Sequence, residues 1–455
     1  MQTMAEKLAA YAAGLKYEDL PAEVAHQAKR ILVDTFGCAF GGYSSEPSQM
    51  ALLMAQRASS SEPATVLYGG QKTTPDLATF ANGVMARYLD FNDGTISEGG
   101  GHPSDSICAL LAAAEVAHAG GRDLILAIVL TYEVYCRFVD AMDFRPCQID
   151  HVTIGGIASV VGAAKLLGLT QQQIVEAINI MLVANIALRQ TRTGNLSHWK
   201  CCAYPNSSRN AVFSAQLAAC GMTGPSPIFE GRHGFFNVIS KKPFELAPFG
   251  GKGQPFRIMQ CHLKQFPICN FAQTLIPAAL QLRAGISDVR DIAEVHIHTS
   301  QKGLNVMASD PEKWRPTNRE TADHSMPYAA AVALTYGTID QSYFDDKYLQ
   351  NKELLDLVAR VKCDATEEAN RRVAETFLCD LDVIMRSGER KSTRVEYHRG
   401  HWRNPMTEAE IEKKFRSLVA DMLPASRTDA LLKQIWTLEN LPQVETLMKM
   451  TQGAP

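Results

Sequence analysis

Residues 153–188 read TIGGIASVVGAAKLLGLTQQQIVEAINIMLVANIAL, and apolar side chains recur along them at spacings of three and four, with glycine punctuating the run. That period is helical, and the many small residues allow helices to pack closely. The same pattern fills PAEVAHQAKRILVDTFGCAFGG (21–42), TPDLATFANGVMARYLDF (74–91) and SDSICALLAAAEVAHAGG (104–121). Up to about residue 250 the chain therefore predicts an all-helical region. KKPFELAPFGGKGQPF (241–256), rich in Pro, Gly and Lys, reads as a domain crossing.

Beyond the crossing the pattern changes. Short β-type runs, AEVHIHTS (293–300) and TRVEYHRG (393–400), mix with helices such as FAQTLIPAALQLRAG (271–285) and PYAAAVALTYG (327–337). This predicts a smaller α+β domain with an antiparallel sheet. The tail from PMTEAEIEKKFRSLVADML (405–423) returns to amphipathic helix and is expected to pack back onto the first region. The expected fold is mainly α: a large all-helical domain, 1–255 completed by 405–455, with an inserted α+β lid domain, 256–404.

At 455 residues two domains are the prior, and 46% apolar with 20% charged residues is an ordinary globular composition. A net charge of −3 supplies no global field for nucleic acid or an anionic membrane, so an anionic ligand needs a local basic cluster. The N-terminal helix carries acids and lacks the pattern of a signal peptide. The most apolar segment, 123–142, is interrupted by Glu133, Arg137 and Asp140 and predicts a buried helix, not a membrane span. Eleven scattered cysteines without a CxxC pair fit a reduced, cytoplasmic protein.

Several stretches set reactive residues beside turn formers. RYLDFNDGTISEGGGHPSDS (87–106) brings Asp90, Thr95 and His102 together around a glycine run, and DFRPCQIDHVTIGG (143–156) places His151 before a Gly-rich helix, whose start attracts anions. TRTGNLSHWKCCAYPNSSRNAVFSAQLAA (191–219) offers Lys200 and Arg209, cations suited to carboxylates. HLKQFPICN (262–270) adds Lys264, and NRETADHSMPYAAA (318–331) adds His324 and Tyr328. Each has a plainer reading as loop, cap or core. His296 with His298, and His398 with His401, lack an evident third metal ligand; GGKGQPF lacks the strand and spacing of a dinucleotide loop; no GxSxG occurs. Asp, His, Lys and Tyr without a metal signature suit acid and base work on a substrate bearing several carboxylates.

These stretches resemble the MmgE/PrpD family, which includes 2-methylcitrate dehydratase, cis-aconitate decarboxylase and iminodisuccinate epimerase. The resemblance is carried by RYLDFND with GHPSD, DHVTIGGIASVVGAAKLLGL, LRQTRTGNLSHWK, SSRNAVFSAQLA with GMTGP and FEGRHGFF, LKQFP, NRETADHSMPYAAAVAL and GHWRNPMTEAEIEKKF, in order along nearly the whole chain. It implies a helical domain built from both chain ends, a lid, a cleft between them, a homodimer, and neither metal nor organic cofactor. It also implies catalytic roles for Asp90, His102, His151 and Tyr328, and substrate-binding roles for Lys200, Lys264, Arg209, Thr95 and His324. The twelve-residue step from Asp90 to His102 resembles the dehydratase pattern. The expected activity is dehydration of 2-methylcitrate or a related 2-alkylcitrate, with His102 or His151 as base and Tyr328 or the other histidine as acid. The alternatives are a cis-aconitate-type decarboxylase, an epimerase, or an inactive helical scaffold. The chain departs from the family at Gly94, which intervenes before Thr95, and at KCCAYP (200–205).

Overall fold

The computed structural model describes residues 2–453. Helices fill the first half: α1 (Met4–Gly14), α2 (Ala22–Gly42), α3 (Glu46–Ala55), α4 (Pro75–Tyr88), α5 (Ile107–Val116), α6 (Gly121–Ala141), α7 (Val152–Leu166), α8 (Gln171–Ala184) and α9 (Trp199–Ala219). Local chemistry sets several of their ends. Thr3 Oγ1 accepts from Glu6 N while Glu6 accepts from Thr3 N, and Thr170 with Gln173 does the same for α8. Within 153–188 the helical run breaks at Leu167–Thr170, where Gly168 takes a left-handed φ of +69°, and the two halves become α7 and α8.

After the crossing come α10 (Leu275–Arg283), β1 (Ile292–Thr299), α11 (Met326–Tyr336), β2 (Val361–Ala365), β3 (Cys379–Met385) and β4 (Arg390–Val395), then α12 (Glu408–Val419), α13 (Ala425–Trp436) and α14 (Val444–Met450). The sheet runs β2-β1-β3-β4 and is mixed, not antiparallel as expected. β3 pairs antiparallel with both β1 and β4, but β2 returns parallel to β1. A parallel return needs a long crossover, and α11 lies within it.

Two large hydrophobic cores result among the described residues, beside a small cluster of Ala64, Ala78 and Ala112. One is lined from Met4 to Leu263 and again from Met406 to Met448. The other runs from Ile268 to Val383. α12 lies on α2, where Phe415 meets Phe40 edge to face and Lys414 Nζ reaches Asp34 Oδ1 at 2.6 Å. Residues 123–142 form the buried α6, and the charges that interrupt them fasten the crossing. Glu133 accepts from Gly250 N and Arg257 N, each at 2.7 Å, and Asp140 takes both sides of the Arg257 guanidinium at 2.8 Å. Among the described residues no helix is long and apolar enough to cross a membrane.

Two segments cross between the cores side by side. Leu263 N donates to Gly400 O at 3.0 Å, and His262 pairs through its backbone with Gly94 in both directions at 2.9 Å. The crossing thus holds the loop that carries Asp90 and His102. Gly94 sits there because a Cβ would lie 2.6 Å from His262 Nε2 and 2.7 Å from Asn270 Nδ2. That contact accounts physically for the glycine preceding Thr95.

Candidate active site

At the end of α4 the chain turns through Asp90, a non-glycine residue at φ +49°. That turn directs its fully buried carboxylate into a cluster of cations. Oδ1 accepts from Arg87 Nη1 and from Lys264 Nζ, each at 2.6 Å, while Lys200 Nζ and His324 Nδ1 stand 3.6 and 3.4 Å from Oδ2. Burial alone would raise its pKa, but Arg87, Lys264 and Lys200 hold it well below the usual carboxylate range. A second acid, Asp323, takes Lys200 Nζ at 2.5 and 2.6 Å and His324 Nδ1 at 2.7 Å.

His102 follows from the loop geometry. Its Nδ1 lies 2.6 Å from Asp93 O, and since a carbonyl only accepts, Nδ1 carries the proton. Nε2 is therefore the free lone pair, 3.9 Å from Asp90 Oδ1. Asp93 is itself held by Tyr132 Oη at 2.6 Å and Ser104 N at 3.1 Å. Burial, reinforced by Arg87 and Lys264, pushes the His102 pKa well down, so the ring is neutral.

His151 stands across from it, ring centroids 5.8 Å apart. Its Nδ1 is 3.1 Å from Tyr135 Oη, and Nε2 is 3.5 Å from both Asp150 Oδ1 and Arg192 Nη2. Burial brings its pKa down to about 3 against the opposing pull of Asp150. Gly101 lets these rings approach: a Cβ there would fall 2.7 Å from His151 Nδ1. His324, depressed to about 4 chiefly by burial, completes a set of three neutral imidazoles.

A cavity opens between the two cores. His102, His151, His324, Thr95 and Arg87 face it, as do Arg145, Arg189 and Arg192. Ile96, Phe144, Phe271, Val306 and Phe377 supply an apolar wall. Thr95 Oγ1 is buried and has no hydrogen-bond partner among the described residues.

Of the residues singled out from sequence, Asp90, Thr95, His102, His151, Lys200, Lys264 and His324 gather here. Lys200 and Lys264 stand behind the wall, their ammonium groups already taken by Asp323 and Asp90. Two residues lie elsewhere. Tyr328 packs in the smaller core and donates its hydroxyl to Tyr343 O at 2.6 Å, because its position on α11 turns it toward Phe344. Arg209, on α9 past Pro205, donates to the neighbouring Asn210 and does not line the cavity. Of the KCCAYP departure, Tyr204 does not line the cavity but stands directly behind His151, ring centroids 6.0 Å apart, and packs over Gly155 of α7, while Pro205 packs on Gly83 of α4.

Asp90, Asp323 and His324 bring three potential ligand atoms within 4.8 Å of one another. Each carboxylate already carries a lysine ammonium at hydrogen-bond distance, so the donor set suits an internal salt cluster better than a metal ion. Sequence reasoning missed Arg87, Tyr135, Asp150, Asp323 and the arginines Arg145, Arg189 and Arg192. A signal existed for some: Arg87 stands one helical turn before Asp90, and Asp150 and Asp323 each directly precede a chosen histidine.

Residues 6–247 match the MmgE/PrpD N-terminal domain and residues 266–439 the MmgE/PrpD C-terminal domain. The chain is 27% identical to a 2-methylcitrate dehydratase of Cupriavidus necator, over 89% of this chain and 88% of that protein. It is 25% identical to the cis-aconitate decarboxylase of Homo sapiens, over 100% and 95%. A 2-methylcitrate dehydratase of Escherichia coli strain K12 is 26% identical over 88% and 87%.

Proposed function

The chain belongs to the MmgE/PrpD family, and from that premise we propose that it is a hydro-lyase that dehydrates 2-methylcitrate or a related 2-alkylcitrate by metal-independent acid and base catalysis. The observation that carries this reading is the state of His102: a neutral ring whose Nδ1 proton is committed to Asp93 O, leaving the Nε2 lone pair beside the cation cluster around Asp90. Such a ring is built to accept a proton.

In this reading Nε2 removes the proton from a carbon next to a substrate carboxylate. The electron pair moves into that carboxylate and then forms the carbon–carbon double bond as the hydroxyl on the neighbouring carbon leaves. Arg87 at the wall, with Lys200 and Lys264 behind it, stabilises the charge that builds on the carboxylate. His151 is the acid. Bound carboxylates raise the pKa of a nearby imidazole, so His151 enters the reaction protonated and releases the hydroxyl as water, with Tyr135 fixing the ring. Asp90 orients and neutralises the cations, and Thr95 and His324 contact substrate. Tyr328 and Arg209 receive no role. The apolar wall supports an alkyl substituent on the substrate.

A decarboxylase or epimerase of cis-aconitate-type acids is the second reading, favoured by the match to the human decarboxylase along the whole chain. We also propose a homodimer, supported by exposed apolar side chains on one side of the helical region: Leu188 and Trp199, which line one groove, and Phe213 on the same helix as Trp199.

A proton-NMR time course with methylcitrate, citrate and cis-aconitate separates the readings. An alkene signal without gas release is the expected result, itaconate would move the assignment to decarboxylation, and no turnover of any of the three would sink both. His102→Ala and His151→Ala should each lower kcat about 100- to 10,000-fold with unchanged circular dichroism.

A further inference from the structure

The cations facing the cavity differ in one respect. Among the described residues, Arg87 meets Asp90 at 2.6 Å, Arg192 meets Asp150 at 2.8 Å and Arg145 meets Asp143 at 3.1 Å. Arg189 faces the same cavity and, among the described residues, has no carboxylate within 4.0 Å and no hydrogen-bond acceptor for its guanidinium. Its surroundings do not favour the charge: burial is the first influence pushing its pKa down, and Arg145 adds to it. Three guanidiniums on this wall, Arg145, Arg189 and Arg192, face two carboxylates, Asp143 and Asp150, so one positive charge is left over. A half-buried charge without a counter-ion is costly unless an anion comes to it.

The backbone fixes where that charge is presented. Asp150 N donates to Ala187 O at 2.9 Å and Arg189 N to Gln148 O at 3.1 Å, so the segment bearing Arg189 is stitched alongside the residues leading into His151. His151 feels Arg192, Arg87 and Arg189, whereas the cations acting most strongly on His102 are Arg87 and Lys264. The two histidines share Arg87, but His151 also stands beside Arg192 and Arg189, so Arg189 belongs to the His151 end.

We infer that Arg189, flanked by Arg145, binds a second carboxylate of the substrate, distinct from the one next to the carbon that gives its proton to His102. This rests on the reading of the cavity as a polycarboxylate site. A planar guanidinium holds a carboxylate through two parallel hydrogen bonds, and it does so best where water is partly excluded. The substrate then spans the cavity, with one carboxylate near Arg87, another on Arg189, and its alkyl group on the apolar wall.

Calorimetric titration with tricarballylate, which has three carboxylates and no hydroxyl to eliminate, tests this without turnover, with butyrate as the monocarboxylate control. Arg189→Ala is expected to weaken tricarballylate about 10- to 100-fold, as loss of a charge-assisted hydrogen-bonded contact does, while butyrate, which has no second carboxylate, changes less than about threefold. Arg189→Lys, which keeps the charge and loses the fork, should fall between. Arg145→Ala should have a smaller effect, since Asp143 already takes part of that charge. The inference is overturned if Arg189→Ala binds tricarballylate as the unaltered protein does, if both ligands weaken equally, or if the unaltered protein does not bind tricarballylate. Tight, Arg189-dependent binding without turnover of methylcitrate, citrate or cis-aconitate would reject the proposed reaction while leaving the subsite standing. Should Arg189→Ala fail to fold by circular dichroism, Arg189→Lys alone decides by the same comparison.

Discussion

Asp90→Asn removes the carboxylate that Arg87 and Lys264 share at 2.6 Å and that Lys200 approaches at 3.6 Å. At an effective dielectric of about 20, a unit charge at 2.6 Å contributes about 6 kcal/mol and one at 3.6 Å about 5 kcal/mol. Those gains are largely offset by the cost of taking four charges out of water, so their sum is not the stability at stake. What the substitution exposes is the uncompensated remainder, and breaking a buried pair on one side costs about 3–5 kcal/mol. Against a total of roughly 5–15 kcal/mol for a folded domain, that is a large fraction. Urea unfolding at pH 7, followed by tryptophan fluorescence, reads it directly. The pH dependence is a second check. Asp90 is held below its unfolded pKa of about 3.9, so its contribution is fully present above that value and is lost as pH falls toward the folded pKa; Asp90→Asn should remove this part of the acid loss. Adding Lys264→Met should recover part of the stability by deleting a stranded cation. A loss below about 1 kcal/mol in the single variant would refute the view that Asp90 neutralises the cluster.

His262, pushed down to about 3 chiefly by burial, stays neutral in the fold beside His398, His401, Lys264 and Asn270. Below about pH 6.5 the unfolded chain binds a proton that the folded one refuses, so stability falls with pH. His262→Gln should lessen that slope by up to about 1.4 kcal/mol per pH unit between pH 6 and 5, measured by urea unfolding at each pH. Tyr328→Phe deletes only the bond to Tyr343 O: we expect about 1 kcal/mol off stability and less than about a threefold change in kcat, and a large kcat loss would contradict its placement in the smaller core. Gly94→Ala forces a methyl against His262 and Asn270 and should cost about 1–3 kcal/mol in thermal or urea unfolding; a neutral result would mean that the crossing yields more easily than its contacts suggest.

Helices were legible where sequence period and burial coincide. Residues 153–188 repeat at three and four because α7 and α8 pack apolar stripes on their neighbours. The sheet was legible only in part. β1 was visible in the alternation of HIHT, whereas VKCDA is too short to declare itself and its parallel pairing depends on a crossover that no local pattern encodes. At the site, loop motifs pointed to Asp90, His102 and His151, since those residues sit beside turn formers. Their partners were harder to find. Lys264 and Lys200 look like free cations in sequence, and only the fold places Asp90 and Asp323 on them. The sequence motif marks Tyr328, but which way a residue on a buried helix faces is decided by packing, here against Phe344.

Lys414, on α12, donates to Phe91 O at 2.7 Å and to Lys264 O at 3.0 Å, besides meeting Asp34. One ammonium near the far end of the chain therefore pins the loop that carries Asp90, the crossing that carries Lys264 and a helix from the beginning. During synthesis the ribosome must release Lys414, 323 residues after Phe91, before this clasp can close. Until then the strip of α2 around Phe40 has no cover from Phe415, and the first 250 residues emerge as a helical region with one open seam. Assembly of the candidate site and completion of the larger core are thus tied to the same contact, so a chain cut short before α12 would lack both.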